Sequence, residues 1–250
     1  MSQHRIFIDA GHGGSDSGAV GNGMREADIV LDIARFLGNI LEAAGISVRF
    51  SRTTDTNVSI NDRWQAANAW NATLFVSVHA NAGGGTGVET LIPTASPNNT
   101  NRDLQANRRL AEIISNTLGN TFNMRVRRAN GVMLETETRH GSVGVLRWTR
   151  MLAVLPEVGF VDSPLSNPDV EILRNRRQEI AQALANGIFE FLGINPTVQI
   201  PIPADVAPWA VEAWRWGMTN GITDGTRPTA NVTRQEMVTM LERLHNLLTR

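Results

Sequence analysis

Apolar residues fall along the chain in short runs and in longer stripes of helical spacing, and the two kinds of stretch alternate. Ile6-Phe-Ile8 is a short apolar run broken by Asp9-Ala-Gly-His-Gly-Gly14, the pattern of a buried strand that ends in a tight turn. Ile46–Phe50, Leu74–Val78, Val88–Ile92 and Leu152–Leu155 predict four more strands. Ile29, Ile33, Phe36, Leu37, Ile40 and Leu41 recur at steps of three and four, which predicts a helix over 25–44 that Gly45 stops. Further helices are expected over 59–70, over 101–118 and within 166–192. Residues 119–150 offer only two short extended pieces, at 124–128 and 132–134.

Strands that alternate with helices predict an α/β fold: a mostly parallel twisted sheet with helices on both faces and right-handed crossovers. Prolines 196, 201 and 203 predict an extended linker over 194–203. It separates a large domain, 1–193, from a small α-helical module, 204–250. That module carries Trp209, Trp214 and Trp216 on an expected first helix, with a second helix over 234–248. So short a unit is at the edge of folding alone, and its tryptophans are expected to serve as core more than as a sugar platform.

Composition narrows the classes. The 250 residues are 42% hydrophobic and 19% charged, the balance of a globular protein. A net charge of −1 gives no reason to expect nucleic acid or an acidic membrane surface as partner. There is no lysine and no tyrosine, a bias without a physical account. With no cysteine, any metal must be held by His, Asp or Glu. No apolar run reaches the roughly eighteen residues of a membrane span. Nor does the N-terminus read as a secretory signal, so synthesis in the cytoplasm is expected.

Chemistry gathers at strand ends, where open α/β sheets place their ligands. His12 follows the first strand, His79 the strand over 74–78, and Glu157 the strand over 152–155, while Glu26 opens the first long helix. Each alone has an ordinary reading: a hydrogen-bonded histidine, a helix-end carboxylate, a salt-bridge partner. Together, two imidazoles and a carboxylate form a catalytic zinc set, with the second carboxylate as general base. Asp9 is placed to hydrogen-bond a ligand histidine or to cap the glycine turn. Glu89, on the neighbouring strand, is the alternative base.

Five stretches resemble a known family: Ile8-Asp-Ala-Gly-His-Gly-Gly14, Arg25-Glu-Ala-Asp28, Ser51-Arg-Thr-Thr-Asp55, Val76-Ser-Val-His-Ala-Asn81 and Val154-Leu-Pro-Glu-Val-Gly-Phe160. In that order they are similar to the zinc-dependent N-acetylmuramoyl-L-alanine amidases (amidase type 3). The resemblance covers about residues 5 to 192. It implies Zn2+ bound by His12, Glu26 and His79, Glu157 as the catalytic carboxylate, and peptidoglycan as substrate. Pro156 departs from the family, which has an aliphatic residue there, and 130–149 is atypical. Arg147, in Val145-Leu-Arg147, resembles a motif near the substrate groove, with a surface salt bridge as the other reading. His140 is read as a loop histidine. A zinc peptidase of the stem peptide and a catalytically dead wall-binding protein are the rival readings.

The tail, from Ala204-Asp-Val-Ala-Pro-Trp209 to Thr233-Arg-Gln-Glu-Met237, resembles one surface-layer-homology repeat. That resemblance implies binding to a secondary cell-wall polymer. A lone copy must dock on its own chain or self-associate. The expected setting is a phage endolysin that acts on the wall after release, or else a sporulation or autolytic amidase.

Overall fold

The computed structural model describes residues 4–95, 103–139, 141–194, 203–219, 222–223, 226 and 228–248. The chain divides into two compact units, Met1–Asn195 and Pro196–Arg250. Most of the expected linker, 195–202, lies outside the described residues, as does His140.

The first unit runs β1 (Arg5–Ala10), β2 (Val20–Gly21), β3 (Met24–Arg25), α1 (Glu26–Ala43), β4 (Ser47–Phe50), α2 (Ile60–Ala69), β5 (Leu74–Asn81) and β6 (Glu89–Ile92). It continues through α3 (Leu104–Phe122), β7 (Val132–Leu134), α4 (Gly144–Trp148), β8 (Leu152–Phe160), α5 (Pro168–Asn175) and α6 (Arg177–Leu192). Six strands form one sheet in the order β4-β1-β5-β8-β6-β7, and β2 pairs with β3 in a small ribbon. Strands β4, β1, β5 and β8 are parallel, whereas β6 runs antiparallel to β8. The loop from β5 to β6 is too short for a crossover, which needs about a dozen residues, so β6 must return antiparallel.

The chain leaves β1 toward β4 on one side and reaches β5 on the other. The crevice between the ends of β1 and β5 is therefore the topological switch point, where such sheets bind ligands. Side chains alternate along each strand. Ile6, Ile8, Val76 and Val154 face α1, α3 and α6 through Ile29, Ile33, Leu37, Leu184 and Ile188. Phe7, Phe75, Leu91 and Leu155 pack on the other face with Ala67 of α2 and Leu146 of α4.

The expected α/β architecture, with helices on both faces, is the one observed. Several boundaries differ. Strands β5 and β8 run past their apolar runs, so His79 and Glu157 lie within the ladder rather than beyond it. Of 124–128 only Val126 bridges, to Val88. The stretch 166–192 holds two helices rather than the one expected within it, broken at Arg176.

In the second unit α7 (Val211–Thr219) and α8 (Arg234–Leu248) are the expected helices. Thr233 and Glu236 close a reciprocal capping box at the start of α8. Trp209 lies in a separate 3-10 turn and is 87% exposed, and Trp216 is exposed too, so these two tryptophans are not the core expected of them. Among the described residues no helix is long and apolar enough to cross a membrane.

Candidate active site

Three chain segments converge at the switch point. After β1 the backbone turns sharply, and His12 itself takes a left-handed conformation, φ 57°. Gly11 is required beside it, since a Cβ there would sit 2.4 Å from Cε1 of the His79 ring. Glu26, the first residue of α1, is buried and lies between the two imidazoles. Its Oε2 is 3.1 Å from His12 Nε2, and its Oε1 is 2.9 Å from His79 Nδ1. The backbone N–H groups of Ala19 and Ala80 donate to the same carboxylate, at 2.8 and 3.0 Å. One ligand atom from each of His12, Glu26 and His79 lies within 4.8 Å of the others, an arrangement that could hold a metal ion.

The donor set and its spacing fit such an ion. Ligand atoms of a tetrahedral zinc site stand about 3.3 Å apart, given metal–ligand bonds of about 2.0–2.1 Å. The electrostatics agree. Burial would lower the His12 pKa, but hydrogen bonds and charge from Glu26 and Asp16 outweigh it and hold the imidazole above its ordinary value. Burial would likewise raise Glu26, yet the two imidazoles hold its carboxyl far below the usual range. Glu26 is thus held ionised between the two imidazoles.

Glu157 lies directly opposite His79 in the β5–β8 register, and Glu89 lies directly opposite Glu157 in the β8–β6 register. The strand alternation points all three to the α2 and α4 face. Oε2 of Glu157 is buried and has no hydrogen-bond partner among the described residues. Burial first, then the charges of Glu26 and Glu89, push the Glu157 pKa well above the carboxylate range. Glu89 is otherwise engaged: it accepts from Arg127 Nε at 3.0 Å, Arg128 Nε at 2.9 Å and Asn81 Nδ2 at 3.0 Å. Glu89 is thus held by three donors, whereas Oε2 of Glu157 has none among the described residues, which favours Glu157 over Glu89 as the base.

All four residues singled out from the sequence are brought together. Asp9 is not their partner, because both oxygens of its carboxylate are taken by other groups. Arg63 Nη1 lies 2.7 Å and Ser77 Oγ 2.6 Å from its carboxylate. The residue that orients His12 is Asp16, 2.8 Å from its Nδ1, and only its place four residues on in the glycine loop could have signalled this. Two buried arginines, missed in the sequence, hold the turn from beneath. Arg63 donates to the carbonyls of Ala10 and His12, and Arg52 to those of Ala10 and Gly11. Arg147, half-buried in α4, forms no salt bridge among the described residues.

Comparison with known proteins bears on the same stretch. Residues 6–190 match the family profile of N-acetylmuramoyl-L-alanine amidase. The chain is 37% identical over 196 residues to the sporulation-specific N-acetylmuramoyl-L-alanine amidase of Bacillus subtilis (strain 168), covering 77% of this chain and 70% of that one. It is 34% identical over 196 residues to the endolysin of Bacillus phage SPP1, covering 76% and 66%. Its fold is similar to that of the catalytic domain of CwlV, an N-acetylmuramoyl-L-alanine amidase from Bacillus (Paenibacillus) polymyxa var. colistinus. The TM-score is 0.63 at 29% identity, covering 77% of this chain and 99% of that domain. The sheet and the four clustered residues fall inside the matched stretch, and the chain belongs to the N-acetylmuramoyl-L-alanine amidase family.

Proposed function

We propose that the first unit is a zinc-dependent peptidoglycan hydrolase that cuts the amide between N-acetylmuramic acid and the L-alanine of the stem peptide. The observation that carries this is the juxtaposition of the His12, Glu26 and His79 cluster with the unpartnered carboxylate oxygen of Glu157. His12 Nε2, His79 Nδ1 and the Glu26 carboxylate would hold the ion. When bound there, zinc supplies Lewis acidity, which acidifies water and draws charge from a carbonyl oxygen.

The chain's own groups do the rest. Glu157 takes a proton from the attacking water as the oxygen–carbon bond forms. It then delivers that proton to the alanine nitrogen as the carbon–nitrogen bond breaks, leaving a lactyl carboxylate and a free amine. Asp16 fixes the His12 ring through Nδ1 and leaves Nε2 turned toward Glu26, where it would hold the ion. The test is to digest purified peptidoglycan with and without a chelator and to identify the newly exposed amine. L-alanine, lost on chelation and regained with zinc, is expected. An amine from inside the stem peptide would make the enzyme a zinc peptidase, and no release at all would favour a wall-binding protein.

The second unit we read as a tether to a secondary cell-wall polymer, supported by its resemblance to a surface-layer-homology repeat and by the outward-facing indole of Trp209. The setting we favour is an endolysin that reaches the wall after release from the cytoplasm, with similarity to the SPP1 endolysin as support. Similarity to the sporulation-specific enzyme supports a host role instead. Expression timing, in phage lysis or in sporulation, decides between them.

A further inference from the structure

Beside the four clustered residues, one rim of the site carries an arginine pair that the chemistry above does not use. Val88 pairs with Val126, which places Arg127 and Arg128 at the end of the sheet where Glu89 and Glu157 lie. Arg127 is committed: it bonds Glu89 and the Thr86 carbonyl, and its guanidinium stacks 4.7 Å over the Phe160 ring. Arg128 is not. Its Nε bonds Glu89, but its outer nitrogens make no hydrogen bond among the described residues. Its other charged neighbour is Glu137, 3.7 Å away, in a pair exposed on both sides. Such a pair is weak and readily displaced. Arg128 also sits at φ 54°, ψ −173°, a region that essentially only glycine occupies at ease. Strained non-glycine residues of this kind cluster at active sites. The opposite rim, beside His12, carries the carboxylates of Asp16 and Asp55, the latter 3.6 Å from the Arg25 guanidinium.

We propose that Arg128 is a specificity-determining residue that takes a free carboxylate on the second residue of the stem peptide. This rests on the amidase reading. The stem peptide continues from its second residue through a side-chain carboxyl, so that residue's α-carboxylate is free unless amidated. In an extended peptide that group lies about 7 Å beyond the scissile nitrogen. Adjacent strands are about 4.8 Å apart, so Arg128, bonded to the residue opposite Glu157, is within that reach. The uncharged glycan then lies toward the other rim. Arg128 offers a planar fork that matches a carboxylate and does not match an amide.

The test uses the zinc-loaded full chain and two disaccharide muropeptides, one with L-alanyl-D-glutamate and one with its α-amide, L-alanyl-D-isoglutamine. Wild type should favour the acid by about 10- to 100-fold in kcat/KM, through KM, as charge-assisted hydrogen bonds of this kind imply. Arg128→Gln should erase the preference, raising KM for the acid by about 10- to 100-fold more than KM for the amide. Arg128→Lys, which keeps a positive charge beside Glu89 but lacks the planar fork, should lose most of the preference while melting close to wild type. Equal loss on both substrates, or a wild type without preference, overturns the proposal. If neither substrate yields a peptide with a free L-alanine N-terminus, the amidase reading is overturned, and this inference with it.

Discussion

At Glu157 a carboxylate whose buried Oε2 finds no hydrogen-bond partner among the described residues faces the charges of Glu26 and Glu89. Its folded pKa lies above its unfolded one. The metal-free chain is therefore favoured with Glu157 protonated and loses stability as pH rises through the folded value. Glu157→Gln removes that titration. Mutant and wild type should melt alike at acid pH, below about 4, and the metal-free mutant should be the more stable at neutral pH. With zinc present, its kcat should fall by about 10²–10⁴-fold while metal content holds. Loss of zinc would instead make Glu157 a ligand. Asp16→Ala should keep the fold, since Asp16 is largely exposed, yet weaken zinc binding by about 10- to 100-fold. Unchanged affinity by titration calorimetry would show that the turn alone fixes His12. His12, His79 and Glu157 are legible in the sequence because each follows an apolar run, and Glu26 because it opens a helix. Asp16 and Arg128 are not legible, because nothing local distinguishes one loop aspartate or arginine from another.

At the scale of elements, α2 is the strut beneath the catalytic turn. Its helix is capped by Ser59, which accepts from Asp62 N, and Arg63 comes one turn in. The Arg63–Asp9 pair is buried on both sides, and removing one partner of such a pair costs about 3–5 kcal/mol. Arg63→Met should thus lower the melting temperature markedly and loosen zinc binding, since the Ala10 and His12 carbonyls lose a donor together. If the variant melts lower but binds zinc as before, the clamp serves the fold alone. This contact spans 54 residues of sequence, and periodicity carries no information over such a distance. The strand ends show the same limit: hydrophobicity stops at Val78 and Leu155, but the ladder continues because the backbone, not the side chain, makes its bonds. The order of elements was open to reading, since alternating periods predict crossovers. The antiparallel return of β6 follows from its short loop only once the place of β8 beside it is known.

At the scale of the molecule, nearly all of the core belongs to the first unit. Both hydrophobic clusters lie before Asn195, whereas Val206 is the one buried apolar side chain of the second unit among the described residues. Helix α8 leaves Met237, Val238 and Leu241 exposed, the last two by more than half. A chain ending after Asn195 should therefore melt cooperatively and bind zinc as the full chain does, because every group of the site and its supports is retained. It should cut soluble muropeptides at the full-chain rate. On whole walls at sub-saturating enzyme its rate should fall, by up to about 10²-fold, as the tether no longer raises the local concentration of substrate. Residues 196–250 alone should be unstable or should self-associate, which analytical ultracentrifugation would report as mass above the monomer. Lysis of whole walls by the shortened chain at the full rate would remove the tethering role. Failure of that chain to fold would instead mean that the second unit completes the first.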